Sequence, residues 1–532
     1  MNISNFKYQI SNMLIMAVCC MTTSCDNFLT VEPTSQIGVD NYYQSPAEAD
    51  RALSGVYGTL KPFAKYWFAM SELRSDNMFE TKEAKQYDYA DCAQFNATGL
   101  LSDNIVANCW ADHYTLIAAA NVLIDKLPEI DFSASKIAKE QYIAEARFLR
   151  ALSYFDLVRF FGRVPVSLHQ LSADEAFHLA QSEPLQVYQQ AIIPDLEYAV
   201  KYLGEYALDY NGSTHSERAT KQAAQALLGK VYMQMAGFPL NQPTKDKAKT
   251  YLKEVLDYAE SSKRYWSADM DEWNRMWIHE NDNKYYIFEI QYVCAANQGN
   301  PVTPLSRTSN SKPDAYSNAY LTNGNHFYIE RALQSRMMTA KDMRCHWTLD
   351  MGYKQDEETG ETTGGYNPDV DHFLVKFFEH KTKRDSLGFG NMDATIVNYT
   401  YWPQNFPVLR IEDVALLYAE CVGGIEGLAI VNRTRQRAGL TPLGAYSEEA
   451  LIEERRAELL GEGHRWFDEV RLNTYVQDNK TKFEYYRDNC DKAHSSVYTM
   501  YAARVNSTSM YYPIPLSQMQ VCEGLYQQNP GY

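Results

Sequence analysis

The sequence predicts a mainly α-helical protein in which tetratricopeptide-like helix pairs form a spine and an irregular lobe adds loops and a few short strands. Apolar residues recur at alternating steps of four and three from Ala144 to Val158, as on one face of an amphipathic helix. Leu228-Gly229 with Tyr232 resembles the core of a tetratricopeptide helix, where a small residue lets a neighbouring helix approach. The middle of the chain, roughly residues 264–410, is less regular and interrupts the helical pattern.

Residues 1–24 are predicted to be an export signal. Lys7 precedes an apolar stretch from Met13 to Cys20, and small hydroxyl residues lead into Cys25, after which the chain turns polar. The stretch is too short to span a bilayer, because a spanning helix needs about 20 apolar residues. We therefore expect removal of residues 1–24 and lipidation of Cys25. The alternatives are a soluble-secretion signal followed by an ordinary cysteine, or an amphipathic end that is not a signal.

The body, residues 25–532, is expected to divide into a spine and a lobe. Helical periodicity places the spine mainly in 103–263 and 411–471, and Gly162 with Pro165 ends its first long helix. The predicted helices are Trp110 to Leu127, Ala134 to Phe161, Glu183 to Leu203, Glu217 to Ala236, Pro243 to Glu260, Ile411 to Val422, Glu426 to Ala438 and Ser447 to Arg471.

A variable ligand-binding lobe is expected mainly in 264–410, together with loops of 60–102. Within it, Tyr285 to Val293 has strand character, and Asn297 to Asn325 is rich in Ser, Asn, Pro and Gly. Loops held on a rigid helical body are where binding residues tend to lie. The lobe is therefore where we look for a ligand site.

Charged residues alternate along the run from Glu454 to Arg471, which also contains His464. Two carboxylates beside a histidine are compatible with acid–base catalysis. The alternative, which we favour, is a ladder of ion pairs that ties helices together, because leucine and aromatic residues are interleaved with the charges.

Composition and motifs favour a non-catalytic protein. The formal net charge of −17 disfavours nucleic acid as a partner. The HExxH, GxSxG, P-loop and dinucleotide-binding patterns are absent, and the eleven histidines are scattered. The seven cysteines after Cys25 have no CxxC spacing, so they indicate neither a zinc site nor a disulfide framework. We predict no cofactor and leave a structural calcium ion open.

Two aromatic clusters suggest binding of glycans. Exposed rings can stack on the C–H faces of sugars, while neighbouring polar side chains bind the hydroxyl groups; for each single ring, packing in the core is the alternative. By contrast, Trp273 and Trp277 are assigned to the core. The candidate glycan-binding residues are Tyr66, Trp67, Arg74 and Asp76 in the first cluster and Tyr316, Tyr320, Asn323 and Phe327 in the second.

Several motifs together resemble the SusD/RagB family of outer-membrane nutrient-binding lipoproteins. They are the Cys25-Asp26-Asn27-Phe28-Leu29 start, the helix from Ala144 to Ala151 running on to Pro165, Leu416 to Glu420, Ile430 to Leu440, the Glu454 to Arg471 run, and the ending Tyr512-Pro513-Ile514-Pro515 with Gln528 to Tyr532. Thr30 stands where the family commonly has Asp. The resemblance implies four tetratricopeptide-like helix pairs, a lipid anchor in the outer membrane, exposure at the cell surface, and a SusC-type TonB-dependent transporter as partner.

The resulting function hypothesis is a non-catalytic lipoprotein that binds an oligosaccharide or polysaccharide and delivers it to the transporter. An alternative is the peptide-binding lid of a RagA-type transporter. A surface glycoside hydrolase and a helical scaffold without a small ligand are further alternatives.

Overall fold

A computed structural model describes residues 42–80, 89–278, 284–295, 298–303, 327–349, 354–355, 362–363, 372, 374–377, 403–522 and 524–532. The predicted export signal and Cys25 lie outside these residues. Within them the protein is mainly α-helical with a few short strands, as the sequence predicted. None of the helices described is both long and apolar enough to cross a membrane.

Fourteen helices build the body of the described chain. They are α1 (Pro46–Gly58), α2 (Phe63–Tyr66, continued by the π-helical Trp67–Glu72), α3 (Asn104–Lys126), α4 (Lys139–Phe161), α5 (Pro184–Val187, continued by Tyr188–Ile192 and Ile193–Tyr202), α6 (Lys221–Ala236), α7 (Lys245–Ser262), α8 (Arg331–Thr339), α9 (Ile411–Val422), α10 (Gly424–Arg437), α11 (Glu448–Glu458), α12 (Arg465–Arg471), α13 (Tyr475–Tyr485) and α14 (Ser495–Arg504). Shorter helical turns connect them.

Local sequence signals set the ends of the main helices. The side chains of Asp103, Thr220 and Ser447 each accept a hydrogen bond from a backbone N–H of the first turn of α3, α6 and α11. Gly162, with a φ of +69°, ends α4, as its sequence position predicted. Helix ends therefore follow capping chemistry that is readable in the sequence.

Helices α3 to α7 pack one against the next, and α7 then packs directly on α9. Residues 263–410 separate α7 from α9 in the sequence, so the lobe is an insertion into a continuous helical stack. At Gly229 in α6 an added Cβ would lie 2.7 Å from the Leu252 side chain of α7. The small residue predicted to admit a neighbouring helix is therefore at a tight helix contact.

The single long helix predicted from Ser447 to Arg471 is wrong. The chain forms α11 and α12 with a turn between them, where Gly461 and Gly463 have φ values of +89° and +77°. The N–H groups of both glycines donate hydrogen bonds to the Glu72 carboxylate, at 2.8 and 3.0 Å. An added Cβ at Gly463 would lie 2.5 Å from the Trp67 Cβ, so only glycine fits here.

The described strands form four antiparallel pairs of two strands each. The strand predicted at Tyr285 to Val293 is confirmed as the shorter β4. The strands are β1 (Met78–Glu80), β2 (Val164–Pro165), β3 (Gln181–Ser182), β4 (Tyr286–Ile290), β5 (Phe327–Ile329), β6 (Lys354–Gln355), β7 (Thr362–Thr363) and β8 (Phe406–Arg410), paired as β1–β5, β2–β3, β4–β8 and β6–β7.

Trp273 and Trp277 lie in the core, as predicted. Both are fully buried, and their rings meet edge to face with centroids 5.6 Å apart. Their burial joins the start of the lobe to the helical body.

Candidate functional site

The first predicted aromatic cluster lies in the protein interior. Tyr66 is 0% exposed and Trp67 is 6% exposed. The Trp67 indole N–H donates a hydrogen bond to Asp156 at 2.8 Å, and its ring stacks on Phe406 with centroids 5.7 Å apart. The Tyr66 hydroxyl donates to Asp112. The expectation that these rings are exposed is contradicted, because both residues lie on α2, which packs into the core.

The polar residues of the same cluster are also buried. Arg74 is 1% exposed and lies among the rings of Phe95, Trp466 and Tyr512, at 4.5, 4.9 and 4.5 Å from their centroids. Its Nη2 donates to the Ser509 carbonyl at 2.6 Å. The guanidinium is thus held by cation–π contacts within the fold, and it offers no exposed donor to a sugar.

Asp76 is 7% exposed and accepts hydrogen bonds from Arg465 at 2.7 and 3.0 Å. Burial alone would raise the pKa of Asp76, but the guanidinium groups of Arg456 and Arg465 outweigh it and hold the pKa well below its ordinary value. This carboxylate is therefore ionised and committed to protein partners.

The second predicted cluster is only partly described. Phe327 is 1% exposed, because it begins β5 and faces the core, so its expected exposure is also contradicted. Tyr316, Tyr320 and Asn323 lie outside the described residues. Their assignment to a glycan site stays a prediction.

The structure nevertheless brings Phe327, the described residue of the second cluster, next to the strand that follows the first cluster. Strand β1 follows Arg74 and Asp76, and β5 begins at Phe327. The two strands pair antiparallel, with Glu80 opposite Phe327. The segment that leaves β1 at residue 81 and the segment that enters β5 at residue 326 therefore join the body at one edge.

Aromatic side chains cover this edge in a cluster that we name the tyrosine shelf: Phe79, Tyr328, Tyr485, Tyr486 and Tyr498. Ring centroids of Phe79 lie 3.8 Å from Tyr486 and 5.6 Å from Tyr328, and Tyr486 lies 6.1 Å from Tyr485 and 5.8 Å from Tyr498. Phe79, Tyr486 and Tyr498 are buried, whereas Tyr328 and Tyr485 are half-buried. The shelf thus has a packed base and two partly exposed rings.

Hydrogen bonds fix the base of the shelf, and polar side chains lie beside it. The Tyr486 hydroxyl accepts a hydrogen bond from the Arg331 N–H at 2.9 Å. The Tyr498 hydroxyl donates to Asp491 at 3.4 Å, and His494 Nδ1 lies 2.7 Å from the same carboxylate. Partly exposed tyrosines on a base that also carries carboxylate and imidazole groups are suited to ligands that carry both C–H faces and hydroxyl groups.

Sequence reasoning missed this part of the site. Tyr485, Tyr486 and Tyr498 lie on or beside α13 and α14, within a stretch that was not singled out. The available signal was the tyrosine pair at 485 and 486 close to a further tyrosine at 498. Their proximity to β1 could not be read from spacing, because some 400 residues separate the two parts of the chain.

The charged run from Glu454 to Arg471 forms ion pairs, as predicted, although across elements more than along one helix. The charge network comprises Arg344, Lys376, Arg410, Glu458 and Glu462. Glu458 accepts hydrogen bonds from Arg344 at 2.8 Å and Arg410 at 3.2 Å, while Arg410 also reaches Glu462 at 2.7 and 2.9 Å. Lys376 Nζ is the fifth member of the network and lies 2.5 Å from a Glu462 carboxylate oxygen.

The network residues are completely or almost completely buried. Burial by itself raises the pKa of Glu458, but Arg437, Arg410 and Arg344 outweigh it and hold the pKa well below its ordinary value. Because its members come from α11, β8 and the lobe, the network fixes the lobe to the spine. Its five side chains are committed to one another within the fold.

Among the described residues, one set of three carboxylates is close enough to share a metal ion: Asp76, Glu469 and Asp478. Arg465 already contacts all three, with nitrogen–oxygen distances of 2.7, 3.3 and 3.0 Å. Burial and the Asp76 carboxylate raise the pKa of Glu469 well above its ordinary value. A guanidinium therefore occupies the centre of this acidic set, which is structural.

Comparisons with known proteins identify the family. The sequence pattern of the SusD family matches residues 257–532, and a second pattern, described as starch-binding and associating with the outer membrane, matches residues 27–233. SusD-like protein P38 of Formosa agariphila is 24% identical over 89% of this chain and 93% of its own length. A SusD-like protein of Bacteroides ovatus is 26% identical over 89% and 84%.

Solved structures agree on the fold. A SusD homolog from Bacteroides thetaiotaomicron has a TM-score of 0.74 at 23% identity, covering 93% of this chain and 98% of its own. A laminarin binding SusD-like protein has a TM-score of 0.70 at 24% identity, covering 92% and 100%. The family pattern matches more than half of the chain and the helical architecture agrees, and this protein therefore belongs to the SusD family.

Proposed function

We propose that this protein is a non-catalytic, lipid-anchored surface protein that binds an oligosaccharide or polysaccharide at the tyrosine shelf and passes it to a SusC-type TonB-dependent transporter of the outer membrane. The observation that carries the saccharide site is the pair of partly exposed rings, Tyr328 and Tyr485, on a rigid aromatic base. Membership of the SusD family and its description as associating with the outer membrane support the setting.

The predicted residues of the second cluster extend this proposal. Asn323 is four positions and Tyr320 seven positions before Phe327, which pairs with β1 beside the shelf. A chain spans at most about 3.5 Å per residue, so segments of four and seven residues can reach no further than about 14 and 25 Å. We therefore assign Tyr316, Tyr320 and Asn323 to the same ligand site as the shelf.

The ligand test uses the chain that begins after Cys25 and polysaccharides in native affinity gels, followed by calorimetry with oligosaccharides. Laminarin and starch come first, because a structural relative is described as laminarin binding and a family pattern as starch-binding. Tyr485→Ala and Tyr328→Ala should each weaken binding by about 1–3 kcal/mol if the rings stack, by analogy with stacking of bases.

Tyr206→Ala is the matched control, because Tyr206 is 52% exposed and is not part of the shelf. Unchanged affinity in both shelf variants would place the saccharide elsewhere. Binding of mixed peptides with no binding of saccharides would instead select the peptide-lid alternative. Release of shorter sugars from a glycan panel would select the hydrolase alternative.

Anchoring and partnership need separate measurements. Incorporation of labelled palmitate should be lost in Cys25→Ser if Cys25 carries the lipid. Pull-down of the tagged full chain from solubilised outer membranes should recover a β-barrel transporter of the TonB-dependent class. If no palmitate is incorporated, the lipid anchor is removed from the proposal. If no such transporter is recovered, the partnership is removed, and the saccharide site is still tested separately.

A further inference from the structure

A second cleft lies away from the tyrosine shelf, between the α6–α7 turn, the start of α11 and the end of α12. Its volume is about 460 Å³, within the range of about 300–1,000 Å³ that small ligands occupy. None of the shelf residues lines it. We name it the polar cleft. The lining residues proposed below to form its floor and rim include Phe238, Asn241, Lys245, Glu420, Glu448 and Asn473.

The floor of the polar cleft is rigid. Arg471 forms a two-pronged ion pair with Glu420, at 2.6 and 2.8 Å, and its Nε donates to Asp468 at 2.8 Å. The Phe238 N–H donates to the Arg471 carbonyl at 2.9 Å. An added Cβ at Gly237 would lie 2.5 Å from that carbonyl oxygen, so the turn and α12 are in closest contact here.

The side chains at the rim of the polar cleft, unlike those of its floor, are exposed and not held by partners within the described fold. Lys245, Glu448 and Asn473 are exposed, and the side chain of none of them makes a hydrogen bond or ion pair with any residue that the structure describes. Asn473 and Asn241 both adopt left-handed backbone conformations, with φ of +59° and +48°. An ammonium, a carboxylate and an amide with uncommitted hydrogen-bonding capacity therefore border one cleft.

This combination points to a class of ligand. A saccharide unit presents apolar C–H groups on its ring face and hydroxyl groups that both donate and accept hydrogen bonds. The half-buried Phe238 ring can pack on the C–H groups, and the hydrogen-bond donors and acceptors of the rim can bind the hydroxyl groups. We infer that the polar cleft is a second binding site for a neutral saccharide chain. The inference rests on the proposed function, because it assumes that the protein binds saccharides.

The test uses the full chain in detergent and two probes, laminarihexaose and maltohexaose, with calorimetry for stoichiometry and hydrogen exchange for location. The native chain should bind two saccharides and slow exchange in residues 237–245. Lys245→Ala, Glu448→Ala and Asn473→Gly should each weaken one of the two sites at least fivefold and leave the other unchanged. Glycine is chosen at Asn473 because it retains the left-handed conformation.

Three exposed residues outside the cleft give matched controls: Lys249→Ala, Glu449→Ala and Lys263→Gly, the last also in a left-handed conformation. The inference is supported if the control variants bind two saccharides with native affinity while the cleft variants lose binding at one of the two sites. One bound saccharide that the cleft variants do not affect and the Tyr485→Ala variant weakens would overturn the second site and retain the proposed function. No binding of either probe would overturn both.

Discussion

The charge network and the polar cleft use the same kinds of side chain in opposite ways. In the network, the buried Glu458 and Arg410 are each held by several partners of opposite charge. At the rim of the cleft, Lys245 and Glu448 make no side-chain hydrogen bond or ion pair with the described residues. A charged side chain can therefore be assigned to ligand binding only once its partners within the fold are known.

The same lesson holds for aromatic side chains. Trp67 packs in the core and donates its N–H to Asp156, whereas Tyr485 of the shelf is half-buried beside the paired strands β1 and β5. Mutations that separate interior from surface roles test this contrast most directly.

The two largest effects are expected from Glu458→Gln and Trp67→Ala, and Glu458→Gln tests the charge network. This change removes one of the buried carboxylates that compensate Arg344, Arg410 and Arg437, so the free energy of unfolding should fall by about 3–5 kcal/mol. Urea denaturation followed by circular dichroism measures it. Asp257→Asn, which removes an exposed pair with Lys253 at 2.7 Å, is the control and should change stability by less than about 1 kcal/mol. Equal effects of both changes would contradict a structural role for the network.

Variants of Trp67 test whether this residue acts in core packing or in ligand binding. Trp67→Ala should lower the free energy of unfolding by about 3–5 kcal/mol, because it leaves a cavity in the core. Trp67→Phe retains most of the ring and loses the hydrogen bond to Asp156, so about 1–2 kcal/mol is expected. Saccharide affinity of the folded Trp67→Phe variant should equal that of the native chain; a loss of binding at unchanged stability would return Trp67 to the ligand site.

Glu145 is a buried acid whose pKa burial raises to about 7, against the opposing effects of Arg218 and a hydrogen bond from Tyr57 at 2.9 Å. Above about pH 4.5 the unfolded chain releases this proton, but the folded chain retains it until about pH 7. The contribution of Glu145 to stability therefore falls as pH rises through this window.

Glu145→Gln cannot titrate, so its stability relative to the native chain should increase from pH 4.5 to pH 7, by up to roughly 3 kcal/mol. Urea denaturation of both proteins at pH 5 and pH 8 measures the change. A stability difference that is the same at both pH values would contradict the raised pKa.

The smallest effect is expected at Tyr486, in the base of the shelf. Tyr486→Phe keeps the ring and removes the acceptor of the Arg331 N–H, so the free energy of unfolding should fall by about 1–2 kcal/mol. Saccharide affinity measured by calorimetry should stay within twofold of the native value. A larger loss would mean that the Tyr486 hydroxyl contacts the ligand and that the division between base and exposed rings is wrong.

The helical class, the interrupted repeat, most helix ends and the structural role of the charged run could be predicted from the sequence. These are local properties, because periodicity, capping residues and charge spacing act within a few turns of one helix. The turn at Gly461 and Gly463, which divides the predicted helix from Ser447 to Arg471 into two, could not be predicted. It depends on contacts with the distant residues Glu72 and Trp67.

Which aromatic and polar residues face the interior could not be predicted and is seen only in the folded chain. Tyr66, Trp67, Arg74 and Asp76 have the composition of a sugar site, yet their partners, such as Asp156, Ser509 and Arg465, are remote in the sequence and enclose them in the core. The same long-range pairing joined β1 to β5 and assembled the tyrosine shelf. Burial depends on contacts between distant parts of the chain, and a local pattern cannot encode them.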